Sequence, residues 1–189
     1  MDDAARYCIR GLAVSLEQLG HILREQSDLA CVPAYEEAIA LYQRIGDRPA
    51  EAVAAFNLGH AYKNLRALRD LEQAEAWYRR SLELRAAGDR LGRAYCFGQL
   101  GMVAHERFME ARETDAPEEQ LLEYLSQAVH LYHQALDLLP PDAVNDLAAT
   151  HNQLDLIYGE AGDLDQSAFP KREAMRYFEA ADDHYHTAV

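Results

Sequence analysis

Apolar residues along this chain recur at steps of four and three, the spacing that collects side chains on one face of a helix. Strand-like alternation of β-branched residues is nearly absent. Turn chemistry divides the pattern. Ile45-Gly46-Asp47-Arg48-Pro49, Ala87-Gly88-Asp89-Arg90, Leu139-Pro140-Pro141-Asp142 and Ala161-Gly162-Asp163-Leu164 all read as a helix end followed by an N-cap. In this reading Gly takes the left-handed position and Asp accepts from the free amides of the next helix. Asp70-Leu71-Glu72-Gln73 and Asp115-Ala116-Pro117-Glu118 have the form of capping boxes, the second with Pro in the first turn. These marks predict eight helices, at about 3–27, 30–45, 48–66, 71–87, 90–113, 117–139, 142–160 and 167–185.

The pattern repeats. Leu-Gly occurs at Leu19-Gly20, Leu58-Gly59 and Leu100-Gly101, with a degraded copy at Leu154-Asp155. Each is followed by an Ala, an aromatic four residues on, and a small or apolar residue three beyond that. The sets are Ala38-Tyr42-Ile45, Ala74-Tyr78-Ser81, Ala128-Tyr132-Ala135 and Ala174-Phe178-Ala181. A Gly inside a helix costs about 1 kcal/mol relative to Ala. Gly20, Gly59 and Gly101 are therefore expected where the two helices of a pair approach closely.

Four helix-turn-helix units in this order resemble the tetratricopeptide repeat (TPR) family. Leu58-Gly59, Tyr62, Ala74, Tyr78 and Ser81 carry the best copy, and Ala128, Tyr132, Ala135 and Pro140 match the later half of the third. The resemblance implies an all-α fold, a right-handed α-solenoid of about four repeats (3–46, 47–88, 89–140 and 141–189) forming one domain. These units exceed the usual ~34 residues. With their Gly-Asp-Arg junctions they are most similar to the kinesin-light-chain-like branch, common in bacterial multidomain signalling proteins. In the third unit the insertion at 105–123 is rich in acid, and extended helices forming a projecting lip are expected there.

Bulk composition narrows the partners. The 189 residues carry a net charge of −14, which argues against nucleic-acid backbones and anionic membranes. The acid gathers late, with eleven acidic against three basic residues from Asp137 onward. Lys63 to Arg93 is locally basic, eight against five. Cys8, Cys31 and Cys96 are scattered and form no zinc spacing, so reduced thiols in a cytoplasmic protein are expected. No apolar run approaches ~18 residues, and the start is acidic where a signal peptide would be basic.

Catalytic chemistry finds little support. There is no Gly-rich phosphate loop, GxSxG or HExxH, and no Cys beside an activating His. His130 and His133 share a helix face without a third ligand, so neither a metal nor another cofactor is implied. The expectation is a non-enzymatic protein.

Helices in tandem offer a different surface, because equivalent positions of the first helix in each unit form ladders along an inner wall. The residue before each repeat Leu is Gln18, Asn57, Gln99 and Gln153, an amide in all four. Amides both donate and accept, as an extended peptide backbone requires. In the TPR family this position commonly contacts the bound peptide's main chain, and the resemblance implies that role here. Two residues after each Leu stand His21, His60, Met102 and Leu156. Five before stand Val14, Val53, Tyr95 and Ala149, and five after stand Arg24, Lys63, His105 and Gly159. The expected peptide contacts are Gln18, His21, Asn57, His60, Lys63, Tyr95, Gln99, Met102 and Gln153. The family's chaperone-tail clamp of Lys and Asn is not matched, since those places hold Glu17 and Phe56, then His21 and His60. The partner is expected to be a protein or peptide. The rival expectation is a sensor or spacer module contacting sister domains of a larger signalling protein. Met175, Tyr177 and Phe178 of the terminal helix would leave an apolar face for a further unit or a second copy to cover.

Overall fold

A computed structural model describes residues 2–165. They are all-α, with no strand among the described residues. The helices are α1 (Asp3–Glu25), α2 (Cys31–Ile45), α3 (Arg48–Asn64), α4 (Leu71–Leu84), α5 (Arg90–Glu113), α6 (Glu118–Leu138) and α7 (Val144–Asp165). The helix expected at 167–185, with Ala174, Phe178, Ala181 and the apolar face of Met175 and Tyr177, lies outside the described residues. Two compact units divide the chain, Met1–Asp89 and Arg90–Val189. In the first, α1, α2, α3 and α4 pack in succession. In the second, α5 packs on α6 and α6 on α7.

Asp2 Oδ1 accepts from Ala5 N at 2.7 Å and opens α1, a cap the turn pattern did not mark. Two of the expected caps, Asp47 and Asp70, are present. Asp47 caps α3, with Pro49 in its first turn. Asp70 Oδ1 accepts from both Glu72 N and Gln73 N at 2.9 Å. Gly46 closes α2 in the left-handed region at φ +70°. The amide of Asp47 returns to Tyr42 O and that of Gly46 to Gln43 O, which satisfies two otherwise orphaned carbonyls.

Other turns correct the expectation. Gly88 lies in a turn, but among the described residues only Gly46 of the glycines has positive φ. Gly162 ends nothing, because α7 continues through it to Asp165. Asp115 does not cap α6. It takes the left-handed conformation itself, at φ +54°, and helps terminate α5, while Ala116 N returns to Ala111 O. Pro117 is the N-cap of α6 and makes no side-chain bond there. The acidic insertion is taken up largely by lengthening the second unit's first pair, with 24 residues in α5 and 21 in α6 against 17 and 14 in α3 and α4.

The three Leu-Gly glycines do mark close helix contacts, each against a tyrosine ring. A Cβ on Gly59 would stand 2.7 Å from Tyr78 Cε1, one on Gly101 3.1 Å from Tyr132, and one on Gly20 2.9 Å from Tyr35. The last contact moves the register of the first repeat. Tyr35, not Tyr42, is the counterpart of Tyr78 and Tyr132. The first set is therefore Cys31-Tyr35-Ala38, seven residues earlier than expected, and all three members are fully buried. Tyr42 and Ile45 are also buried on this face of α2, which is why the misplaced set looked equally good.

The first unit's core joins these rings to Ala54, Ala55, Leu58 and Ala61 of α3. In the second unit Leu100, Val103 and Phe108 of α5 are buried, as are Leu125, Val129 and Tyr132 of α6 and Ile157 of α7. Ser81 replaces an apolar residue at the end of its set. Its hydroxyl donates to Ala52 O at 2.7 Å, so burial leaves it satisfied.

Candidate functional site

The nine expected contact residues fall into two groups, one in each unit. In the first unit, Glu17 of α1 is the hub. Its half-buried carboxylate accepts from the Tyr42 hydroxyl of α2 at 2.9 Å and from the Asn57 amide of α3 at 3.2 Å. Burial raises the Glu17 carboxyl above its ordinary value, and the two hydrogen bonds oppose that rise. Asn57 thus spends a donor on joining α1 to α3. Gln18 next to the hub is exposed on α1.

His60 is half-buried in an aromatic corner. Its ring meets Phe56 edge-on at 4.6 Å, and its Nδ1 shares a hydrogen bond with the Tyr78 hydroxyl at 3.1 Å. Arg85 lies over the Phe56 ring, 5.9 Å from its centroid. Burial lowers the imidazole pKa to about 4, helped by the charges of Lys63 and Arg24. His60 is therefore neutral at physiological pH. Lys63 is buried, with 5% of its surface exposed. The exposed His21 has Nδ1 3.2 Å from the Arg24 guanidinium. Two polar atoms here, Arg24 Nε and the hydroxyl of fully buried Tyr35, have no hydrogen-bond partner. The Arg24 guanidinium acts on that phenol and counters part of the rise that burial imposes.

The second unit brings Tyr95, Gln99, Met102 and Gln153 together. They line one open cleft of about 180 Å³, walled by α5, the end of α6 and α7. Gly98, Ala149 and Thr150 complete much of the lining, and Asp146 accepts from the Tyr95 hydroxyl at 3.3 Å. Two amides from α5 and α7 thus share a wall with an aromatic ring and a thioether. Gly98 keeps that wall open, since nothing lies within 4 Å of where its Cβ would stand.

One member of this cleft was missed by sequence reasoning. Tyr132 is 2% exposed, lines the cleft, and its hydroxyl has no hydrogen-bond partner. Burial and the nearby Glu106 charge raise its pKa, so the phenol keeps its proton. Its place in the repeat pattern marked Tyr132 as packing. The ring does pack, while the hydroxyl end is a potential donor that the helical period could not reveal. Beside the cleft, His105 of α5 and Glu160 of α7 pair at 2.6 Å, both mostly buried, and hold the two helices together.

Among the described residues no group of His, Cys, Asp or Glu is arranged to hold a metal ion. None of these helices is long and apolar enough to cross a membrane. No known family matches the chain, and no curated protein matches it either.

Proposed function

We propose that this chain is a protein-interaction scaffold of the TPR type, a solenoid of helical pairs that binds an extended peptide segment of a partner protein. The observation that carries this reading is the cleft of the second unit. Gln99 and Gln153 stand there as amides able to meet a peptide backbone, with the Tyr132 hydroxyl as a buried donor. An unmet buried hydroxyl costs about 1–3 kcal/mol, and a peptide carbonyl entering the cleft would relieve that cost. Tyr95 and Met102 offer an aromatic face and a thioether to select an apolar side chain. In the first unit Gln18 and His21 are the exposed members. Asn57, His60 and Lys63 are half-buried or buried. The activity is binding, with no bond made or broken and no cofactor required.

Titration of the protein with a fluorescent peptide library, followed by anisotropy, tests the reading. Saturable binding is expected. Gln99→Ala together with Gln153→Ala should weaken it at least tenfold while the melting temperature moves little, and Tyr132→Phe should weaken it by a smaller factor. No saturable binding, or a loss that tracks unfolding of the variants, would overturn the proposal.

A further inference from the structure

The cleft of the second unit is electrically one-sided. Among its described lining residues Asp146 is the single charged group, with no Lys, Arg or His beside it. The unit carries fourteen acidic against four basic residues between Arg90 and Asp165, and none of the four basic ones lines the cleft. Arg90 donates to the Asp137 carbonyl at 2.7 Å, while Arg93 lies over the Phe97 ring and Arg112 over that of Phe108. A second negative charge is felt in the cleft, since Glu106 acts on the Tyr132 hydroxyl.

Asp146 stands in the first turn of α7, where a helix end suits a negative charge. A carboxylate has room for about four hydrogen bonds, and the Tyr95 hydroxyl supplies one, at 3.3 Å. That bond sets the carboxylate at the edge of the Tyr95 ring, which is 40% exposed. A wholly apolar side chain seated on Tyr95 and Met102 would cover Asp146 and leave its charge without a counter-charge, which is costly. The same surface would cover the methylene stem of a basic side chain while the charged end met Asp146. Independently, the Tyr132 hydroxyl, 2% exposed and without a hydrogen-bond partner, offers its proton to the backbone carbonyl of such a residue.

We infer that the cleft reads an arginine of the bound peptide, with the guanidinium on Asp146 and its plane against the Tyr95 ring. The inference rests on the peptide-binding reading above. It narrows the side chain selected by Tyr95 and Met102 to one whose stem is apolar and whose end is a cation. Arginine fits better than lysine, because its planar fork pairs with a carboxylate through two parallel bonds and stacks on an aromatic face. A chain of net charge −14 also draws a basic peptide in from solution.

Sets of fluorescent peptides, randomised at every position but a central one, test the inference on the full chain by anisotropy. The central residue is arginine, citrulline, lysine or norleucine. Citrulline keeps the shape of arginine without its charge. The arginine set should bind at least tenfold tighter than the citrulline set and severalfold tighter than the lysine set, with norleucine no better than citrulline. Added salt should shrink the advantage of arginine over citrulline. Asp146→Asn should remove that advantage with the melting temperature little changed, and Tyr95→Leu should narrow the gap between arginine and lysine. Equal binding of the arginine and citrulline sets, or an arginine preference that survives Asp146→Asn, would overturn this inference and leave the peptide-binding reading standing. Absence of saturable binding from every set would overturn both.

Discussion

Gly59 is not present for conformational freedom. It sits inside α3 without positive φ, and what it lacks is a Cβ that Tyr78 would strike at 2.7 Å. The ring is fully buried and cannot swing away. Gly59→Ala should therefore lower stability by about 1–2 kcal/mol, because overpacking exceeds the helix-propensity gain of about 1 kcal/mol. Gly98→Ala is the matched control. It is also helical but meets nothing within 4 Å, so it should raise stability by about 0.5–1 kcal/mol. Urea unfolding of the two variants decides the sign of each. His60 gives a second residue-scale prediction. Its imidazole titrates near 4 in the folded chain against an ordinary value of 6.5. Between those values the unfolded chain binds the proton and the folded chain does not. Stability is thus fully present above pH 6.5 and is lost as pH falls toward 4, by at most about 3 kcal/mol. Glu17 acts in the opposite sense. Its folded pKa is raised above 4.5, so its contribution is present below that value and is lost as pH rises through the folded one. His60→Gln should abolish the loss between pH 6.5 and 4 in urea midpoints. A wild-type slope surviving in that variant would exclude the imidazole as its cause.

Where helices begin and end depends on groups the local sequence shows only in part. Asp47 and Asp70 were legible as caps because a capping Asp needs nothing beyond the amides two and three residues ahead. Asp70→Ala should cost about 1 kcal/mol, read as a lowered urea midpoint with unchanged slope. Asp115 has the same signature and a different fate. It follows a long helix that needed a left-handed residue to stop, and it took that place. Gly162 is the converse case, a residue with the chemistry of a stop that α7 passes through. A glycine permits a chain reversal but does not compel one.

At the scale of the whole molecule, the repeated Leu-Gly pattern sets which residues are equivalent. The register of the first unit was misread because α2 offers two tyrosines, Tyr35 and Tyr42, seven residues apart on one face. Only contact with Gly20 separates them. The two groups of expected contacts also differ. In the second unit the amides of Gln99 and Gln153 reach one cleft, while in the first Asn57 is turned to Glu17. Residues at this amide position line a cleft in the second unit, and in the first Asn57 joins two helices.

From sequence alone came the all-α class, the seven described helices to within a few residues, and the glycines at helix contacts. All of these follow from helical periodicity and local turn chemistry, which act over a few residues. Tertiary structure alone decided which tyrosine each glycine receives, that Lys63 is buried, that Glu17 ties three helices, and that the Tyr132 hydroxyl is left without a partner. Each of these depends on which side chains meet across separate helices, and a spacing rule within one helix carries no information about the neighbour.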